Sequence, residues 1–209
     1  MTQRAGVVRG VVSSEHIVQI FDTTESLADT VSAFLHDGYR RGDHVLVVAK
    51  PKNWAAVSDR LEERACPVAA AIAAGRLVVL DAATTLAKFM RHGLPDAHLF
   101  SSVIGDLVHR LNAETGAGLT IYLEVVELLA EEGNFRGAQR IETLWNELGE
   151  RCSFRLLCGY SAAHFVSPGA DAALREICDS HSRVQANAAD PLATWLLAAR
   201  GGLRSMTRS

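Results

Sequence analysis

The sequence predicts an α/β protein, a three-layer α/β/α sandwich around a mainly parallel central sheet of about five or more strands. Two observations carry this. Short apolar runs at His16–Phe21, Val45–Ala49, Leu77–Leu80, Leu119–Leu123 and Phe154–Tyr160 have strand length. They are near-continuously apolar, as strands covered on both faces are. Between them lie longer stretches whose apolar residues recur at helical spacing. Strands alternating with helices in this order imply parallel pairing with helices on both faces.

Glu15–Lys50 sets the pattern as strand, polar loop, amphipathic helix and second strand. In its helix, Leu27, Val31, Phe34 and Leu35 share one side. Thr24 or Asp22 can cap that helix, with Glu25 and Asp29 favouring its positive end. A helix from Asn53 carries Trp54, Val57 and Leu61 and is broken at Cys66-Pro67, followed by an alanine-rich turn. After the third strand the spacing predicts helices over Ala83–Arg91 and Asp96–Thr115, separated by the breaker His92-Gly93-Leu94-Pro95. Helices are also expected at Val125–Glu131, Phe135–Leu148 and around Ala170–Asp179. Residues 1–14 read as a flexible leader, 15–186 as the domain, and 187–209 as a tail. The tail holds a short helix at Leu192–Ala199, then Arg200, Arg204 and Arg208. It reads either as a frayed terminus or as a docking segment.

With 209 residues, a net charge of −3 and 22% charged residues, the chain lacks the basic face that direct nucleic-acid binding needs. No apolar run reaches the roughly 18 residues of a membrane span. Arg9 interrupts any apolar signal core, so a cytoplasmic location is expected. The four cysteines, Cys66, Cys152, Cys158 and Cys178, form no C-x-x-C pair and stand at no zinc-ligand spacing from a histidine. Buried thiols are one reading; a redox role for Cys152 and Cys158 is the other.

In parallel sheets ligands gather at the C-terminal ends of the strands. That rule selects Phe21–Glu25, Ala49–Asn53, Asp81, Glu124 and Tyr160–Ser161. The first loop, Asp22-Thr23-Thr24-Glu25-Ser26, stands where a phosphate-binding protein places glycines and a lysine. Its two acids would repel phosphate, while Thr23, Thr24 and the helix N-terminus suit a neutral polar group. Glu124 ends an apolar strand, as a metal-binding or water-activating acid would; the alternative is a glutamate satisfying the start of the next helix. The eight histidines are scattered without metal-site spacing, and His36, His44, His98 and His109 are expected to face solvent. No G-x-S-x-G elbow is present, and no cysteine has an evident histidine partner. Trp54, Trp145 and Tyr160 would line an apolar pocket, although the helical stripe Ile141, Leu144, Trp145, Leu148 also suits a core.

Several stretches carry a resemblance: His16 with Phe21, FLHDGYRRGDHVLVVA, GRLVVLDAATTLAKFMRHGLPDAHLF, LEVVELLAEEGN, RIETLWNELGE, FRLLCGY and ICDSHSRV. In this order and spacing the chain resembles the MEDS domain, a sensory domain of methanogen and methylotroph regulators, from about His16 to Val184. The resemblance implies a divergent RecA/KaiC-like domain without the phosphate loop, sensing small organic molecules. The residues that match by position are His16, Phe21, Glu124, Glu142, Trp145, Asn146, Cys158, Tyr160 and His181. The chain departs from the family pattern around Glu124, with Thr120 or Ile121, Leu123 and Val125 in place of an arginine, a glycine and a methionine. Ala130 stands where a tryptophan is common. Those changes imply a remodelled or apolar pocket.

The expected ligand-binding set therefore joins Phe21, Asp22, Thr23, Thr24, Glu124 and Tyr160 to His16, Trp145, Cys158 and His181, which the resemblance supplies. No catalytic residue, metal or cofactor is expected. The favoured function is a non-catalytic sensory domain that binds a small organic ligand and contacts a histidine kinase or transcriptional regulator; a homodimer is compatible with this. The alternatives are a residual nucleotide- or metal-binding enzyme around Glu124 and a ligand-free interaction module.

Overall fold

The computed structural model describes residues 14–113, 118–167 and 169–199. The main sheet is built from β1 (Glu15–Phe21), β2 (His44–Ala49), β3 (Leu77–Asp81), β6 (Leu119–Leu123), β7 (Arg155–Ser161) and β8 (Arg183–Ala186). Its order is β3-β2-β6-β7-β1-β8, and every pairing is parallel. The first two strands are not neighbours, because β6 and β7 lie between them. A separate two-stranded hairpin consists of β4 (Met90–Arg91) and β5 (Leu94–Pro95).

Helices cover both faces. On the first lie α1 (Thr24–Arg41), α2 (Pro51–Glu63) and α3 (Val68–Ala73), which pack on Ile17, Phe21, Val45, Val47 and Leu157. The second face carries α4 (Ala82–Ala87), α5 (Ala97–Phe100), α6 (Asp106–Ala113), α7 (Val125–Glu131), α8 (Phe135–Gly149), α9 (Ala170–Asp179) and α10 (Pro191–Ala199). They bury Val18, Ile20, Leu46, Val48, Ile121 and Leu156. Alternation along each strand thus sends successive residues to different cores, and both cores are apolar. That is the three-layer sandwich the sequence predicts.

One contact fixes how closely α1 approaches the sheet. Gly38 lies over Thr120, and a Cβ there would collide with the threonine side chain. Thr120 is itself held, donating its hydroxyl to Asp43 at 2.7 Å.

Several local expectations change. The helix expected over Ala83–Arg91 stops at Ala87, and Met90–Arg91 pairs with Leu94–Pro95 instead. The breaker works as a hairpin turn, with His92 and Gly93 at φ 50° and 78°. The helix expected from Asp96 is capped by the Asp96 carboxylate, which accepts from the Leu99 N–H. It passes through a π-helical segment, Ser101–Gly105, before α6; its expected end at Thr115 lies outside the described residues. The alanine-rich turn is the helix α3. Residues 191–199 are not frayed: Ala193, Leu196 and Leu197 of α10 are buried in the second core. The leader through residue 13 and the basic residues Arg200, Arg204 and Arg208 lie outside the described residues.

Candidate functional site

At the C-terminal end of β1 the Asp22–Ser26 loop is occupied by the chain itself. Thr23 caps α1 by accepting from the Ser26 N–H at 3.2 Å. The Asp22 carboxylate accepts from the backbone N–H groups of Leu192 and Ala193, both at 2.8 Å. These are the free donors of the first turn of α10, so a helix N-terminus sits against this loop and a carboxylate satisfies it. Asp190 closes the arrangement, accepting from the Asp22 N–H at 3.0 Å and from the Ser26 hydroxyl.

Glu124 is also engaged by the chain's own donors. Oε2 accepts from the Lys50 N–H and Oε1 from Asn53 Nδ2, both at 2.5 Å, and Oε1 also accepts from the Tyr122 hydroxyl at 2.9 Å. Its side chain makes no capping bond to α7. Burial raises its pKa, against the lowering effect of Asn53 and the Lys50 N–H. The carboxylate pins the start of α2 to the end of β6, with both oxygens occupied.

A third group is the most concentrated. His16, near the start of β1, and Cys158, on β7, project to the second face, where Glu142 of α8 and His181, between α9 and β8, meet them. His16 Nε2 is 3.1 Å from Glu142 Oε2 and 3.4 Å from Cys158 Sγ. His181 Nε2 is 3.5 Å from Glu142 Oε2, and Cys158 Sγ is also 3.5 Å from that oxygen. The remaining Glu142 oxygen accepts from the Tyr160 hydroxyl at 2.7 Å. The two imidazole rings are 4.0 Å apart. Cys158 is wholly buried, and the side chains of Glu142 and His181 are 1% and 0% exposed.

Charge in this pocket is unevenly held. Burial would raise the Glu142 carboxyl, but the His181 and His16 imidazoles and the Tyr160 hydroxyl outweigh it and hold it at about 2. Burial pushes His181 down to about 4 despite Glu142 nearby. Burial and the Glu142 charge together lift the Cys158 thiol well above its ordinary value. At neutral pH the pocket therefore holds a carboxylate, a thiol and a neutral His181.

The family model of the MEthanogen/methylotroph, DcmR Sensory domain (MEDS) matches residues 15–182. The chain belongs to the MEDS family. No curated protein matches it significantly. The MEDS match begins at β1 and ends at Ser182, whose hydroxyl and N–H both donate to the His16 carbonyl, at 2.7 and 2.8 Å. The matched region thus begins and ends beside the buried pocket.

Within this MEDS domain the expected ligand-binding residues separate. His16, Cys158, Tyr160 and His181 converge on Glu142. Asp22 and Thr23 hold helix ends, and Thr24 opens α1 beside them. Phe21 packs in the first core and Trp145 in the second, edge-on to Phe100 and Phe154 at 5.5 Å each. Trp145 is therefore core, as its helical stripe indicates. Glu142 and Asn146 match the family pattern; Glu142 shares the buried face with Ala138 and Trp145, while Asn146 stays exposed and reaches His16 with its side chain. Histidine–cysteine pairing is invisible in the linear sequence: Cys158 meets His16, and Cys152 Sγ lies 3.3 Å from His109 Nδ1. His44, expected in solvent, is 5% exposed at the start of β2. No helix among the described residues is long and apolar enough to cross a membrane.

One open depression of about 400 Å³ lies between the end of α7, the start of α8, the turn after β7 and the start of α9. Ala130, Gly133, Phe135, Ala163, His164 and Ala170 line it. His164 Nε2 is 3.0 Å from Glu127 Oε1, and Glu127 Oε2 accepts from the Ser161 N–H at 2.8 Å.

Proposed function

We propose that this MEDS domain is a non-catalytic receptor that binds a small organic molecule in the depression beside His164. It relays occupancy to a histidine kinase or transcriptional regulator by protein contact. The depression carries the reading: its wall includes Ala163 and His164, which follow the C-terminal end of β7, the side of a parallel sheet where ligands gather. Its wall joins alanines and Phe135 to the His164 imidazole, the Glu131 carboxylate and Ser167, which suits a small molecule with both apolar and polar parts. The neighbouring rim supports the non-catalytic part. The loop that would hold phosphate is occupied by α10, and both oxygens of Glu124 are taken by the chain's own donors.

Thermal unfolding of the chain with short-chain alcohols, amines, aldehydes and halogenated alkanes tests this. A ligand at 100 times its Kd stabilises by about 2.7 kcal/mol, and at least one chemical class is expected to raise Tm. Ala163→Trp, which fills the depression, is expected to abolish that rise. A panel without effect, or a response that survives Ala163→Trp, would overturn the assignment. Calorimetric titration with ATP and magnesium is expected to give no binding heat.

A further inference from the structure

We propose that His16, Glu142, Cys158 and His181 form a closed site for one divalent transition-metal ion, of which zinc fits best. The assignment is independent of the ligand reading above and uses different residues.

The first argument concerns hydrogen-bond polarity. His181 Nδ1 lies 2.6 Å from the Ile177 carbonyl, which only accepts, so Nδ1 carries the ring proton. Its Nε2 then presents a lone pair, buried and without a hydrogen-bond partner, 3.5 Å from a carboxylate oxygen that is also an acceptor. His16 is oriented in the same way. The Asn146 amide donates Nδ2–H to the Ser180 carbonyl at 3.0 Å, which turns its oxygen toward His16 Nδ1 at 2.8 Å. His16 Nδ1 therefore donates, which leaves its Nε2, 3.1 Å from Glu142 Oε2, as the ring's ligand atom. Two imidazole Nε2 atoms, a carboxylate oxygen and a thiol converge on one point. A cation at their centre would be ligated by all four at once.

The second argument is geometric. Bonds of about 2.0–2.3 Å in a tetrahedral zinc site place ligand atoms about 3.3–3.8 Å apart. Four of the separations here are 3.1, 3.4, 3.5 and 3.5 Å. All four ligand atoms lie within 4.8 Å of one another. Small side-chain shifts suffice to complete the tetrahedron. Outer partners of the kind that orient metal ligands are present too: Asn146 and the Ile177 carbonyl behind the imidazoles, and the Tyr160 hydroxyl on the free carboxylate oxygen.

Charge and ligand type select the ion. On binding, the Cys158 S–H bond is replaced by a sulfur–metal bond and the proton leaves to solvent. A divalent ion, the Glu142 carboxylate and the Cys158 thiolate then sum to zero charge, as a wholly buried site requires. Two imidazoles, one thiolate and one carboxylate suit zinc rather than magnesium or calcium. With four protein ligands and no exposed position, the site is of the structural kind, not a catalytic one that keeps a coordination position open.

The test uses the full chain, purified without chelators for metal analysis, then stripped and titrated with cobalt(II). One equivalent of bound cobalt is expected, with the visible ligand-field bands of a tetrahedral site and a thiolate-to-cobalt charge-transfer band. Zinc is expected to displace it and to raise Tm. Cys158→Ser is expected to lose the charge-transfer band, and Asn146→Ala to weaken cobalt binding by about 10–100-fold. His109→Ala, beside the other histidine–cysteine pair, is expected to change neither. Stripped chain that is folded by circular dichroism yet binds no cobalt would overturn the proposal. So would a charge-transfer band that survives Cys158→Ser or disappears in His109→Ala. If Cys158→Ser does not fold, the wild-type titration and Asn146→Ala decide the matter.

Discussion

Asp22 and Asp190 complete each other's hydrogen bonding: Asp190 accepts from the Asp22 N–H, while the Asp22 carboxylate binds the N–H groups that open the helix after Asp190. The pair closes the first-strand loop with the last described helix. Asp22→Ala removes two helix-end acceptor contacts and is expected to cost about 1–2 kcal/mol. Asp190→Ala leaves the Ser26 hydroxyl and the Asp22 N–H without this acceptor and is expected to cost about 1–3 kcal/mol. Because they form one unit, urea unfolding of the double variant should show a loss smaller than the sum. Strict additivity would show that the two act separately.

The buried pocket makes the metal-free chain acid-labile over a definite range. His181 ordinarily titrates near 6.5 and is held to about 4 in the fold. As pH falls from about 6.5 toward 4 the unfolded state takes a proton that the folded state refuses, so stability declines. Glu142, lowered from 4.5 to about 2, contributes stability that is present above 4.5 and lost as pH falls toward 2. His181→Gln is expected to flatten the upper part of the urea-midpoint profile and, because His181 also helps hold Glu142 low, to shrink the lower part. An unchanged slope between pH 6.5 and 4 would contradict the His181 assignment.

Gly38→Ala is expected to destabilise by about 1–3 kcal/mol, as overpacking does. Helix propensity alone would favour the change, so the sign distinguishes the two effects. Thr120 cannot easily retreat, since its hydroxyl is tied to Asp43 and lies 3.3 Å from an Arg41 guanidinium nitrogen. A more stable variant would show that α1 has room to lift away from β6.

All four cysteines are free and buried. Burial raises the thiol of each, and charged neighbours modify the effect at Cys152, Cys158 and Cys178. A chromogenic thiol reagent is expected to react slowly with the native chain and to count four thiols in urea. Rapid native reaction at Cys152 or Cys158 would restore a redox reading for that residue.

The layers were legible because β2, β6 and β7 are short runs apolar on both faces, set between longer stretches of helical spacing. Helix ends were readable where a residue caps them, as Asp96 does. The hairpin at His92-Gly93 was not, because a breaker says that a helix stops and not what the next residues pair with. β8 is not among the strands the sequence predicts, since an edge strand of four half-exposed residues carries little periodicity. The buried pocket was hidden for a different reason. Ligand spacing rules work when one turn or one helix supplies the ligands. Here they come from two strands, a helix and a turn, and only parallel pairing of β1 with β7 places His16 diagonal to Cys158, which pairs with Val18. Family resemblance did mark His16, Glu142, Cys158 and His181, without saying that they touch. At the rim, the sequence identified a loop unsuited to phosphate, but its occupant begins at Pro191, far along the chain.

The Ser182 contacts to the His16 carbonyl have a consequence for biosynthesis. A nascent chain that has reached Cys158 already contains three of the four pocket side chains, but not the loop that secures the first. Until His181 and Ser182 have left the ribosome, β1 lacks its outer neighbour β8 and the pocket stays open on that side. Closure therefore marks the moment when nearly the whole domain has been made, and a prematurely terminated product would present an open, thiol-bearing cleft to the cell's quality-control proteases.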